Sequence, residues 1–276
     1  MTKLCRFIIL LLAAGIFITS CRKNDSTNNN SIVPDLTTKV QSSVSGFVTD
    51  ENNVAVEGAT VTVGASTVST DTFGHFEVRN VDVVKNAAAV TITRIGYFKA
   101  IKTYIAEQGK ATFFRIKLLP KANAGTIDAA AGGNVTLTNG MKVSIPANAA
   151  AINTATGAAY TGQINVAAQW IDPTGTDLNK TMPGDLRGLD NNNELKLLQT
   201  FGMVAVELTG SGGEQLQIAT GKTATVTFPI PASIAGAAPA SIPLWYFDET
   251  NGLWKQEGTA TKTGNSYIGE VAHFSY

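Results

Sequence analysis

The chain has 276 residues, 44% apolar and 15% charged, so one large domain or two ordinary ones with full cores fit within it. Its 21 basic and 21 acidic side chains cancel. No Lys/Arg-rich block breaks that balance, which leaves a nucleic-acid partner without electrostatic footing. The 26 glycines among abundant Thr, Val and Ala favour strands and tight turns over long helices.

MTKLCR opens the chain with Lys3 and Arg6 and leads into an apolar run from Phe7 to Thr19. That run is too short to span a bilayer comfortably and suits the core of a signal peptide. It ends in ITSC, which resembles the lipobox of bacterial lipoproteins, with isoleucine at the position where leucine is commonest. The resemblance implies a signal peptide over residues 1–20 and a lipidated Cys21 as the first mature residue. The bland alternatives are an ordinary secretory signal with an incidental cysteine and an uncleaved anchor. Cleavage would remove Lys3 and Arg6, leaving 19 of the 21 basic groups against 21 acidic ones, a net of −2. It would also remove Cys5, and the lipid thioether would occupy the other cysteine. A disulfide framework, a thiol nucleophile and a Cys-ligated metal are then all excluded.

Residues 21–43 are polar and rich in Asn, Ser and Thr, without apolar period, and read as a flexible tether. About 20 such residues reach roughly 25 Å r.m.s.. Arg22, in place of aspartate after the lipid Cys, argues by resemblance to enterobacterial sorting against inner-membrane retention. Lys23 and Asp25 partly resemble the surface-export signal of Bacteroidetes lipoproteins, with its second acid missing. The expected place is the outer membrane, facing the periplasm or the cell surface, with the membrane itself a partner through the lipid.

Residues 44–120 carry short alternating runs. Ala59, Val61 and Val63 alternate with Thr60 and Thr62, and Phe114, Ile116 and Leu118 with Arg115 and Lys117. Such a period of two predicts half-buried antiparallel strands. DENN at 50–53, Glu57-Gly58 and DTFG at 71–74 supply the turns. Asp71 is placed to cap its own turn, Gly74 to take positive φ, and Phe76 to enter the core. The ordered set Gly46, Gly58, Ala59, Val61, Thr70, Asp71, Gly74 and Phe76 resembles the carboxypeptidase regulatory-like domain, a transthyretin-like sandwich. That resemblance implies a fold and no chemistry, because in metallocarboxypeptidases the module accompanies the catalytic domain.

PKANAGT at 120–126 reads as a connector to a second unit over 121–276. Val135 and Leu137, Asn139-Gly140, then Met141, Val143 and Ile145 predict a hairpin stopped by Pro146. The GG…G…IP arrangement resembles the opening of ZU5-type sandwiches. Ala147 to Ile152 could turn once as helix. Strands are expected at Gln163–Trp170, Thr200–Leu208, Thr223–Pro229, Leu244–Asp248, Trp254–Glu257 and Tyr267–His273. From MPGDLRG to GEVAHFSY the chain resembles the C-terminal domain of Bacteroidetes lipoproteins, and cartilage intermediate layer protein shows a related segment. The family continues with Trp-Asn after His-Phe-Ser, and this sequence stops at Tyr276. The expected architecture is all-β, two consecutive antiparallel sandwiches after a signal peptide and tether.

Catalytic signals are sparse. His75 and His273 fall in separate units. Glu270 and His273, three apart on a strand, point to opposite faces and form no dyad. No GxSxG, HExxH, P-loop or dinucleotide fingerprint is present. Asp190, Asn192 and Glu194 alternate like the first ligands of a calcium loop, with Asp185 a wider candidate. The glycine at the sixth place and the acid at the twelfth are missing, so a solvated loop is the stronger reading and no cofactor is expected. Three functions remain. The first is a non-catalytic, membrane-tethered binding, adhesion or scaffold module with an unknown protein or glycan ligand. The second is a glycan-binding lipoprotein that stacks sugars on exposed Trp170, Trp245 and Trp254. The third, remote, is a hydrolase using paired carboxylates such as Asp248 and Glu257, which would have to lie about 5–9.5 Å apart.

LWYFDETNGLWKQEG, residues 244–258, sharpens the choice. Alternation places Trp245 and Phe247 on one side, and ETNG supplies a turn with Gly252 at a positive-φ position. With Asp248 opposite Leu253, Phe247 meets Trp254 on a core face. A slip by one residue would set Trp254 beside Asp248.

Overall fold

A computed structural model describes residues 32–148 and 151–274. The expected signal peptide at 1–20, Cys21 and the expected tether as far as Ser31 lie outside the described residues. The tether expected to reach residue 43 ends sooner. Asp35 accepts hydrogen bonds from the N–H groups of Thr37 and Thr38 at 2.8 and 3.1 Å, and strand β1 (Lys39–Thr49) has already begun. Its early half pairs with a later strand, Val40 opposite Val83, and Ser42 is buried with its hydroxyl on the Lys110 carbonyl. Tertiary pairing thus overrides a composition that read as disordered.

The first sandwich continues with β2 (Thr60–Val63), β3 (Ser66–Ser69), β4 (His75–Val84), β5 (Ala88–Thr93), β6 (Ala100–Tyr104) and β7 (Ala111–Lys117). One sheet has the order β4-β1-β7, the other β3-β2-β5-β6. Val44, Val48, Phe76 and Ile116 from the first sheet meet Val61, Val63, Val90 and Ile92 from the second in one core. The pairing β1–β7 is parallel, a departure from a purely antiparallel sheet. The 71–76 turn forms as its residues predict. Asp71 accepts the N–H groups of Phe73 and His75 at 2.9 and 2.8 Å, Gly74 has φ 73°, and Phe76 is buried. Thr70 is a buried clamp: its hydroxyl donates to the Val56 carbonyl at 2.6 Å and accepts the Ala59 N–H at 2.9 Å.

The second sandwich comprises β8 (Asn123–Asp128), β9 (Gly133–Thr136), β10 (Lys142–Ile145), β11 (Ala151–Asn153), β12 (Gln163–Ile171), a one-turn helix α1 (Leu178–Thr181), β13 (Arg187–Leu189), β14 (Leu195–Leu197), β15 (Met203–Gly210), β16 (Gln215–Ile218), β17 (Ala224–Pro229), β18 (Ser241–Asp248), β19 (Leu253–Thr263) and β20 (Ser266–Val271). One sheet runs β14-β13-β19-β20-β17-β10-β9 with β18 against β19, and the other runs β11-β16-β15-β12-β8. Asn139-Gly140 turns the β9–β10 hairpin, and Met141, Val143 and Ile145 are buried as the alternation demands. The helical turn expected at Ala147–Ile152 does not form at its described end. Ala151 and Ile152 pair with Ile218 and Gln217 at the sheet edge, and Ala151 is fully buried.

The two sandwiches do not hang on a free linker. Asn123 already starts β8, and the Lys121 N–H donates to the Gly96 carbonyl at 2.8 Å. A shared apolar layer joins the two cores. Ile101 from β6 packs with Ile171, Met203, Phe247 and Trp254, and Ala87 packs with Leu189 and Leu253. Polar groups close the seam. The Thr103 hydroxyl donates to the Gly252 carbonyl at 2.6 Å, and Arg187 donates to the Asn86 carbonyl at 2.6 Å. Lys102, buried in β6, donates to the carbonyls of Asn179 and Met182 at the end of α1. Burial pushes its ammonium down to about 7, while the two carbonyls favour the charged form. By packing, the described residues from 32 to 274 form a single unit.

Candidate functional site

The β18–β19 hairpin organises the site. Asp248 lies opposite Leu253 and Phe247 opposite Trp254, the register that puts both rings on a core face. The rings meet edge to face at 5.5 Å between centroids. Trp254 is 4% exposed, and its Nε1 donates to the Asp185 carbonyl at 2.8 Å. Trp245 lies over Gly188, where a Cβ would stand 2.9 Å from the indole ring, so only glycine lets the aromatic seat itself on β13.

Beyond Trp245 the ladder breaks. Leu244 pairs with Gly258 but Trp245 with Gln256, so Glu257 is the extra residue of a β-bulge. A bulge re-aims its side chain and bends the strand. Here it turns Glu257 into a pocket, where Oε2 lies 3.4 Å from Nδ1 of His273 just beyond β20. The Tyr246 ring stands edge-on to the imidazole at 4.3 Å. The cavity has a volume of about 110 Å³. Buried Phe201, Phe228, Leu244 and Trp254 form its depth, and exposed Gln199 and Pro243 lie at its mouth.

Glu257 and His273 are both driven toward neutrality. Burial pushes the Glu257 carboxyl up to about 7, the Ala272 backbone opposing weakly, and burial also lowers the His273 imidazole. His273 is the one basic side chain within ion-pair distance of Glu257 among the described residues. Its Nε2 is buried without a hydrogen-bond partner among them. The pair can share or pass one proton in a water-poor cleft. It can also answer a charged group on a guest.

The candidates from sequence separate clearly. Trp245 and Trp254 line the pocket, whereas Trp170 on β12 packs between the two cores of the second sandwich, its Nε1 without a partner. An exposed three-tryptophan platform is not formed: Trp254 is buried and the other two are half-buried. Among the described residues the exposed aromatics are Phe47, Phe73 and Phe113 on the first sandwich, where Phe47 and Phe113 meet edge to face.

Asp248 and Glu257 are not a carboxylate pair. Asp248 caps the hairpin turn through the N–H groups of Thr250 and Asn251. Its partner Leu253 is four steps from Glu257, about 13 Å along a strand. Asp190 and Glu194 share the Lys196 ammonium at 3.1 and 2.7 Å, Asp190 also accepts the N–H groups of Asn192 and Glu194, and Asp185 is held by Arg187. The calcium alternation is therefore an Asx-type hairpin turn neutralised by a lysine. Glu270 accepts from Thr223, away from His273, so the carboxylate that meets His273 is one the spacing did not nominate.

No family model matches the chain. Cartilage intermediate layer protein 2 of Mus musculus is 31% identical over 164 residues, which are 57% of this chain and 14% of that protein. The chain thus spans about a seventh of the length of this curated relative, and the expected similarity to a cartilage intermediate layer protein segment is found. Among solved structures, a Bacteroides fragilis protein of unknown function aligns over 86% of this chain and 98% of its own at 9% identity and a TM-score of 0.25. A chain of a type II cohesin–X-dockerin complex from Acetivibrio cellulolyticus aligns over 30% of this chain and 61% of its own at 19% identity and a TM-score of 0.25. The sandwich architecture rests on the strands described above, and by sequence this chain is similar to one segment of a much longer protein, cartilage intermediate layer protein 2.

Proposed function

We propose that the chain is a non-catalytic, membrane-anchored lipoprotein of the cell envelope, a rigid two-sandwich binding module. The carrying observation is the pocket between β15, β17 and β18–β19. It combines deep apolar walls, two tryptophans and a small polar group, the composition of a ligand site rather than of a packing defect. Its walls are stiffened by the seam to the first sandwich, which lowers the ordering cost of binding. The carboxypeptidase regulatory-like residues fit a structural first module, since each of Thr70, Asp71, Gly74 and Phe76 is spent on holding its own turn and core.

Anchoring rests on ITSC and the preceding apolar run, and outer-membrane placement on the residues after Cys21. Cys21→Ser should release the protein from the membrane fraction and abolish labelling by a palmitate analogue. Retention with the membrane would overturn the lipid assignment. For the pocket, a small-molecule screen read by tryptophan emission should give hits that weaken in Trp245→Ala. A glycan ligand is the second reading, favoured by the half-buried indole of Trp245 near the mouth. Saccharides that shift emission would support it, and hits confined to non-sugars would remove it.

A further inference from the structure

We infer that the pocket receives a small organic ammonium group, an amine carried on an apolar or aromatic body, with Glu257 as its counter-charge. This rests on the reading of the pocket as a binding site and adds the chemistry of its guest. The argument begins with the bulge. A carboxylate facing a mostly apolar cavity costs folding free energy unless something pairs it. Here the nearest basic group is His273 at 3.4 Å, itself half-buried and stacked edge-on by Tyr246. Beyond that imidazole, Glu257 meets only the Ala272 backbone, and the Nε2 of His273 has no hydrogen-bond partner among the described residues.

The surroundings suit a cation better than any other guest. Trp245, Tyr246 and Trp254 all line the cavity, and aromatic faces attract ammonium groups through their quadrupoles. A neutral apolar guest would bury Glu257 further without pairing it. An anion would be repelled by it. A sugar would present many hydroxyls to walls whose polar members are few: Gln199, Thr200, Tyr246, Glu257 and His273. A cation restores the carboxylate charge and gains both the ion pair and the aromatic contact. The volume of about 110 Å³ is below the roughly 150 Å³ of a cavity that accepts benzene, so it takes the ammonium and a short alkyl stem, and an aromatic body extends toward the mouth at Gln199 and Pro243.

The test titrates the full chain, in non-ionic detergent, with benzylammonium and with its neutral isostere benzyl alcohol, read by calorimetry and tryptophan emission. Benzylammonium should bind at least tenfold tighter. Glu257→Gln should erase that preference, bringing benzylammonium down to the affinity of benzyl alcohol, and its melting temperature should not fall, because the change removes a buried acid. Equal affinity for the two probes, or a preference that survives Glu257→Gln, would overturn the ammonium assignment and leave the pocket as a neutral-ligand site. If neither probe binds, the ammonium assignment and the pocket's role as a small-molecule site both fail.

Discussion

The two ends of the β18–β19 hairpin carry the same kinds of residue and do opposite things with them. At the tip, every strong polar group finds a partner. Asp248 caps the turn, the Gly252 carbonyl takes the Thr103 hydroxyl, Glu249 pairs with Lys99, and Trp254 gives its N–H to Asp185. At the base, the bulge at Glu257 turns the acid into a cleft, where it has only the Ala272 backbone and the His273 imidazole beside it. Aromatics with satisfied neighbours are glue, and aromatics around under-satisfied groups line a site. Sequences break local rules where function asks for it.

The contrast can be broken at either end. The largest effect is expected from Trp254→Ala, which empties the shared layer and orphans the Asp185 carbonyl. It should cost about 4 kcal/mol in urea unfolding and split the single transition into two if the seam alone couples the sandwiches. At the base, Glu257→Gln should raise stability at pH 8 by about 1–2 kcal/mol. The sign follows from burial. The folded carboxyl holds its proton up to about 7, above the unfolded value of about 4.3. Wild-type stability therefore falls as pH rises through that window, and the variant should lose this slope in a pH series of melts. His273 works in the opposite sense: its folded value is lowered, so its share of stability is lost as pH drops below about 6.5. Thr103→Val should cost about 1–2 kcal/mol by leaving the Gly252 carbonyl unpaired at the seam, read by the same urea titration. Glu249→Gln, at an ion pair with both side chains over 40% exposed, should change stability by less than about 0.5 kcal/mol, and less still in high salt.

The tip was legible before the structure and the base was not. ETNG marked the turn and alternation set Trp245 and Phe247 on one face, with two registers left open for Trp254, and the observed pairing of Phe247 with Trp254 is the one that buries both rings. The same logic found the β9–β10 hairpin at Asn139-Gly140 and the capped turn at Asp71. It failed at Glu257, because a bulge inserts a residue and inverts the parity of everything beyond it. It failed at His273 as well, whose partner lies on another strand sixteen positions earlier. The short strands β11, β13 and β14 escaped notice since three residues carry too little pattern. The fusion of the sandwiches escaped because Leu189, Leu253 and Ile101 read as ordinary core residues of separate units.

The parallel pairing of β1 and β7 has a mechanical meaning. In a chain held at its N-terminus and loaded on its second sandwich, the pull enters at the start of β1 and leaves past the end of β7. Parallel strands pulled from those opposite ends are sheared rather than unzipped. The pairs from Ser43–Ala111 to Thr49–Lys117 then bear the load together instead of opening in turn. Such a stem transmits tension to the body without yielding first, and stretching single molecules between Lys39 and the second sandwich should show one high-force rupture where an unzipping strand would show a low plateau.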